Sequence, residues 1–131
     1  MENIEKLLKK IEFNYHNKDK KETAEFKIND ETYNVLLLNR SEKANLIFSR
    51  QNGEFNNLKE IYEWLKPVIY KSFQLKEAAV EAKERGFIKS YYDVVDMLFE
   101  PSDIIKIIEF LLKANNLQNF KNEELAFEKK Q

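Results

Sequence analysis

The residues of this chain whose types and spacing could support chemistry are carboxylates on helical patterns. Asp93 and Asp96 lie three residues apart and Glu100 follows Asp96 by four, so a helix would place the three on one side. Three glutamates within residues 77–84 share a side of another helical segment. Such groups suit a hard cation such as magnesium. Both sets, however, lie opposite the apolar residues of their helices, which is typical of a solvated face.

Other catalytic and cofactor chemistries lack the residues that they require. His16 is the only histidine and lies in a charged, lysine-rich stretch, which indicates a solvated side chain rather than a catalytic base. The chain has no cysteine, and one histidine cannot supply a zinc or iron site. Gly53 and Gly86 are the only glycines, and neither opens a phosphate-binding turn. We therefore predict no enzyme activity, no cofactor and no small-molecule substrate.

Length and composition predict a small protein of the bacterial cytoplasm. A chain of 131 residues is long enough for one domain, and the absence of cysteine removes any need for an oxidising compartment. No apolar run approaches the ~18 residues needed to span a bilayer. The abundance of Lys, Asn, Ile, Phe and Tyr is typical of an AT-rich genome. We expect a cytoplasmic protein of a bacterial host cell, without membrane contact.

The balance of charge argues against nucleic acid as the partner. The chain has 22 basic and 23 acidic residues, so no net field attracts a polyanion. Residues 75–99 could be interpreted as a helix-turn-helix with Gly86 in the turn, but the second helix would present Asp93 and Asp96 to phosphates. The sequence therefore favours a protein partner.

The first half of the chain is predicted to form a helix and a small antiparallel sheet. Apolar residues at helical spacing indicate a helix over residues 3–13, followed by an exposed loop over 14–23. Alternating apolar residues on both sides of a turn at Asn29-Asp30-Glu31 indicate a β-hairpin. Residues 41–50 fit either a helix capped by Ser41 or a third strand. We favour the strand, which would complete a three-stranded meander before a turn at residues 51–53.

The second half is predicted to be helical, which makes the whole an α+β fold. Residues 57–73 hold one apolar stripe, in which Pro67 should kink or split the helix. Three further helices are predicted over residues 75–85, 89–99 and 103–114, the first of them stopped by Gly86. We expect a single domain over residues 1–118 and a polar, frayed tail over residues 119–131.

The last two predicted helices carry more apolar surface than an ordinary surface helix needs. Their apolar side chains cover about 220° of the circumference at ~100° per residue. The two helices either form the covered centre of the domain, which we favour slightly, or leave apolar surface for a partner. Trp64 and Tyr70 lie at the margins of the apolar stripe of residues 57–73. They could be hot-spot residues of an interface or ordinary residues at the boundary between core and surface. The candidate interface residues are Trp64, Tyr70, Tyr92, Phe99, Ile105, Phe110 and Leu112.

Two segments of the sequence, in their order along the chain, resemble those of a known family. The hairpin sequence Phe26-Lys-Ile-Asn-Asp-Glu-Thr-Tyr-Asn-Val35 is followed by helices, with Pro101-Ser-Asp-Ile-Ile-Lys-Ile-Ile108 near the end. Over residues 24–117 this order resembles that of the tail assembly chaperones of phages and prophages. The resemblance implies a non-enzymatic cytoplasmic protein, often oligomeric, that holds the tail tape-measure protein during assembly. The family has no sharp motif, so the resemblance assigns no functional residue.

Two other hypotheses fit the sequence. A small α+β domain without cysteine or active site also suits an inhibitor, encoded by a phage or mobile element, that binds a host defence protein. An enzyme that uses Asp93, Asp96 and Glu100 is the least favoured hypothesis.

Magnesium tests the enzyme hypothesis. A metal that binds only the folded chain raises its melting temperature, so a site at Asp93, Asp96 and Glu100 would respond to millimolar magnesium. We expect a thermal scan to show no change. A rise in melting temperature that Asp96→Asn abolishes would contradict this expectation.

Overall fold

The computed structural model describes residues 2–18, 20–49 and 55–117 of the chain. Within these ranges the elements are α1 (Glu2–Asn17), β1 (Thr23–Ile28), β2 (Glu31–Leu36), α2 (Arg40–Phe48), α3 (Leu58–Ser72), α4 (Lys76–Glu84), α5 (Asp93–Leu98) and α6 (Pro101–Ala114). This order confirms the predicted α+β fold, with a helix, a hairpin and then further helices. The predicted turn at residues 51–53 and the predicted tail over residues 119–131 lie outside the described residues.

Helix α1 is longer than the sequence pattern predicted. Residues 14–17, expected in a loop, continue the helix, and the side-chain amide of Asn17 donates to the carbonyl of Phe13 at 2.7 Å. Because no glycine or proline interrupts this stretch, its polar residues do not prevent helix formation. His16 is exposed, as predicted, and its Nε2 lies 3.8 Å from a carboxylate oxygen of Glu12.

Strands β1 and β2 form the predicted hairpin. Asn29 and Asp30 both adopt positive φ angles, 49° and 69°, as a two-residue type I′ turn requires. The register pairs Phe26 with Tyr33, and the alternation turns Ile28 and Val35 into the core. The ring of Phe26 also stacks on Phe110 of α6 at 4.5 Å between centroids. One face of the hairpin therefore covers α6.

Residues 40–48 form helix α2, so the third strand favoured from the sequence is wrong, and the sheet has two strands in the described part of the chain. The helix is capped by Asn39 and not by Ser41. The Asn39 side chain accepts from the Glu42 backbone N–H at 2.8 Å, and the Glu42 carboxylate accepts from the Asn39 N–H at 3.0 Å. This capping box satisfies two donors that a helix leaves free at its start. Phe48, which strand alternation would have buried, is exposed.

The core is formed mainly by α3 and α6. Helix α3 starts at the cap Asn57, which accepts from the Glu60 N–H at 3.0 Å, and it continues through Pro67 without splitting. A proline inside a helix costs about 3 kcal/mol. Buried residues on both sides of Pro67 offset that cost by packing against the neighbouring elements. The buried apolar side chains of the two helices are Ile61, Leu65, Val68 and Ile69 of α3, and Ile104, Ile107, Ile108, Leu111 and Leu112 of α6.

Helix α4 ends as predicted, whereas the next helix is shorter than predicted. Gly86 has φ 79°, and the N–H of Phe87 bonds to the Ala82 carbonyl, the pattern of a Schellman stop. The helix predicted over residues 89–99 begins only at Asp93, whose carboxylate accepts from the Ser90 N–H at 3.0 Å. An aspartate that bonds a backbone N–H three residues earlier favours a turn before the helix.

A buried asparagine joins α6 to the end of the hairpin. The side-chain oxygen of Asn115 accepts from the Leu38 N–H at 2.7 Å, and its amide donates to the Leu111 carbonyl at 2.9 Å. The residue is 1% exposed, so water does not replace these bonds when they are lost. Asn115 therefore fixes the chain after β2 against the C-terminal end of α6.

We expect Asn115→Ala to lower the free energy of unfolding by about 1–3 kcal/mol, because the Leu38 N–H would be left buried without an acceptor. Urea unfolding followed by circular dichroism measures this change. Asn45→Ala, at an exposed position of α2, is the control and should stay within about 0.5 kcal/mol of wild type. Equal effects of the two substitutions would contradict the role of Asn115.

Candidate protein-interaction site

The structure separates the seven candidate interface residues into three groups. Phe99 and Leu112 are 5% and 1% exposed, so they belong to the core. Phe110 is half-buried beneath the hairpin, where it stacks on Phe26. The wide apolar arc of α6 is thus largely a core feature, because α3 and the hairpin cover it from two sides. Ile105, on the remaining side, is exposed.

Trp64, Tyr70 and Tyr92 form the third group, and they line one open groove of about 540 Å³. Helices α2 and α3 supply most of its lining, and Tyr92, just before α5, also lines it. The floor and walls are mostly apolar, whereas Glu42 and Lys71 lie at the rim. The apolar side chains of the groove are Leu38, Leu46, Trp64, Pro67, Val68, Tyr70 and Tyr92. We call this feature the α2–α3 groove.

Trp64 is held rigidly in the wall of the α2–α3 groove. Its Nε1 donates to the Leu46 carbonyl at 3.0 Å and lies 3.3 Å from the Ser49 hydroxyl oxygen. The ring of the buried Phe55 lies 4.9 Å from the indole centroid. Because the polar edge of the indole is satisfied within the chain, its exposed part offers apolar surface to a ligand.

The two tyrosines pack edge to face at the other end of the groove. The rings of Tyr70 and Tyr92 lie 5.0 Å apart with an interplanar angle of 72°. Burial raises the pKa of the Tyr70 phenol, and its neighbours Tyr92 and Tyr91 raise it further. An aromatic pair of this kind adds contact area at a low cost in side-chain entropy.

An ion pair at the rim connects the two walls of the groove. The ammonium of Lys71 on α3 bonds to the Glu42 carboxylate on α2. Glu42 therefore both caps its own helix and contacts the neighbouring one. Because the charges of Lys71 and Glu42 are paired with each other, the α2–α3 groove offers mainly apolar contacts to a partner.

A second apolar depression, of about 400 Å³, lies between α3 and the start of α6. Ile105 lies here, together with Leu58, Tyr62 and Ile108, and Asp96 lies at its edge. The candidate interface residues thus fall on two surfaces, since Tyr92 lines the α2–α3 groove and Ile105 lines this depression.

The carboxylates considered for catalysis have structural partners. Asp93 accepts from the Ser90 N–H, whereas Asp96 accepts from the hydroxyl of Tyr62 and the ammonium of Lys66. Burial alone would raise the pKa of Asp96, but the bonds from Lys66 and Tyr62 and the charge of Lys66 hold it below its ordinary value. In the described ranges, no group of three or more acidic or histidine side chains is placed to hold a metal ion.

Sequence reasoning missed the exposure of α1. Its apolar spacing predicted an amphipathic helix without indicating what would cover the stripe, and the structure leaves the stripe exposed in the described part of the chain. The exposed stripe residues are Ile4, Leu7, Leu8, Ile11 and Tyr15. No signal in the residues themselves marks this outcome, because a covered stripe and an uncovered one have the same periodicity.

In comparisons with protein-family models, with curated proteins and with solved structures, nothing matches this chain. Among the residues that the structure describes, no helix is both long enough and apolar enough to cross a membrane.

Asp96 generates a prediction about acid stability. A lowered pKa in the folded state means that the ionised form stabilises the fold above the unfolded pKa, about 3.9, and that this contribution is lost as the pH falls further. Asp96→Asn is therefore expected to lower the melting temperature at pH 7, with a difference from wild type that narrows below about pH 4. Thermal scans across this pH range measure the difference.

Glu84→Gln, at an exposed position of α4, is the matched control and should melt with wild type at each pH. If the difference in melting temperature between Asp96→Asn and wild type stays constant with pH, the stabilising bonds to Asp96 do not depend on its charge.

Proposed function

We propose that this chain is a non-enzymatic domain that acts by binding another protein in the α2–α3 groove. The observation that carries the proposal is that the aromatic side chains of the groove are held in place by contacts within the chain. Trp64 is fixed by hydrogen bonds and Tyr92 is packed on Tyr70. Binding to rigid aromatic residues loses little side-chain entropy, which is why such residues dominate hot spots.

The partner best suited to the groove is an extended or helical segment with apolar side chains on one face. The groove is open along its length and mostly apolar, and its two rim charges are paired with each other. An amphipathic helix lying in an apolar groove is a common form of peptide recognition. The engagement of Asp93 and Asp96 in structural bonds further supports binding rather than catalysis.

The specific role that we propose is that of a phage or prophage tail assembly chaperone, with the tape-measure protein as the bound partner. The support for this role is the resemblance of residues 24–117 to that family. The α2–α3 groove, with its aromatic side chains, is the surface on which we propose that the tape-measure segment binds. In this role the protein works in the cytoplasm of the bacterial host cell. It needs no cofactor or nucleic acid.

Tyr92 and Tyr91 provide a matched pair for testing the groove. The two neighbours are 44% and 43% exposed, but only Tyr92 lines the α2–α3 groove. Binding of the purified protein to overlapping fragments of the tape-measure protein from the same genome can be measured by calorimetry. We expect Tyr92→Ala to weaken binding about tenfold or more, which corresponds to about 1.4 kcal/mol, and Tyr91→Ala to leave it unchanged.

Three results would overturn the proposal or part of it. If no tape-measure fragment binds, the chaperone role fails. If the protein instead binds and inhibits a purified host defence enzyme, the inhibitor hypothesis replaces it. If fragments bind but both tyrosine variants retain full affinity, the partner lies elsewhere on the molecule and the groove is not the site.

A further inference from the structure

Helix α1 presents an apolar stripe that no other element covers in the described part of the chain. The five stripe residues Ile4, Leu7, Leu8, Ile11 and Tyr15 are each between 57% and 64% exposed. An uncovered helix of 16 residues is only marginally stable in water, because most helical stability in proteins comes from packing of the apolar face. The α1 stripe therefore needs a partner surface.

The spacing of the stripe is that of a coiled-coil seam. Ile4, Leu8, Ile11 and Tyr15 follow one another at intervals of four, three and four residues, as the a and d positions of two heptads do. Leu7 lies beside the seam. The stripe thus has the form that pairs with another helix of the same kind.

The charges beside the stripe favour a second copy of the chain in parallel orientation. On a wheel at ~100° per residue, Glu5 and Glu12 lie at one edge of the stripe and the uncharged Leu7 and Asn14 at the other, whereas Lys10 lies farther round on the polar side. When two parallel copies face each other, the two-fold axis places the acidic edge of each beside the uncharged edge of its partner, so no like charges meet. An antiparallel pair would place like charges together.

We propose that the α1 stripe pairs with the α1 stripe of a second copy as a short parallel coiled coil. Each stripe exposes roughly 500 Å² of apolar surface, so the pair would bury about 1,000 Å², which is near the lower limit for a specific interface. An interface of this size is typical of a weak, transient dimer. The pairing is independent of the proposed function, because it uses neither the α2–α3 groove nor any partner protein.

A membrane surface fits α1 less well than a second copy does. Helices that lie on membranes carry a polar face rich in Lys and Arg. Helix α1 carries three lysines, Lys6, Lys9 and Lys10, and three glutamates, Glu2, Glu5 and Glu12. Its charges therefore cancel, and no basic face attracts anionic lipid.

The chain offers a matched control for the stripe on the same helix. Phe13 is also exposed, at 67%, but lies on the opposite side of α1 from the stripe. Sedimentation velocity of the full chain from about 1 to 200 µM measures self-association. We expect wild type and Phe13→Ser to dimerise in this range, and Leu8→Ser to weaken the dimer at least tenfold. Circular dichroism should show that the domain melts alike in all three proteins.

Disulfide cross-linking tests the parallel orientation, since the described chain has no cysteine of its own. In a parallel pair the two copies of residue 4 are neighbours, and Ile4→Cys should cross-link on oxidation. In an antiparallel pair centred on the stripe they would be about 16 Å apart. Lys9→Cys, on the polar side of α1, is the control that should not cross-link.

Several outcomes would overturn the proposal. A wild-type protein that stays monomeric over the whole range excludes the dimer, as does a dimer that Leu8→Ser leaves intact. A dimer without the Ile4→Cys cross-link excludes the parallel pair. Flotation of monomeric wild type with anionic phospholipid vesicles, lost in Leu8→Ser, would assign the α1 stripe to a membrane surface instead.

Discussion

Helix α6 is buried along most of its length between α3 and the hairpin, and the positions of the other elements follow from that burial. Residues such as Ile107 and Leu111 are almost completely shielded, and each such side chain contributes about 1.5–3 kcal/mol on burial. Phe110 extends the contact to Phe26 of β1. Asn115 then ties the end of α6 to the chain that leaves the hairpin. Helix α5 packs on α3, and α4 packs on α5.

Because α3 and α6 require so much cover, the small domain has few elements left to shield its other apolar surfaces. Helix α2 covers only one side of α3, and the α2–α3 groove remains open beside it. Helix α1 adds an apolar stripe that no element covers in the described part of the chain. The groove and the stripe are thus separate apolar surfaces. In our proposals the groove binds a partner protein and the stripe pairs with a second copy, and because the two surfaces are separate, the two contacts would not compete.

The candidate site depends on α2 being a helix. As a third strand, residues 41–50 would have lain beside the hairpin and could not have formed the wall that holds Trp64. The Leu46 carbonyl, which accepts from the indole, and Glu42, which bonds to Lys71, are both placed by the helical backbone of α2. Two polar contacts therefore shape an otherwise apolar groove.

The sequence by itself determined the features whose physical causes are local. Asn29-Asp30 tolerate positive φ, which fixes the hairpin turn, and Gly86 ends α4 for the same reason. The cap Asn39, three residues before Glu42, was also a local signal for α2, but it was outweighed by an alternation of apolar residues. Tertiary structure alone decided whether each apolar side chain became core or surface. Phe99 is buried and Tyr92 exposed although both are aromatic, because burial depends on which other elements pack against a residue and not on the residue's own type.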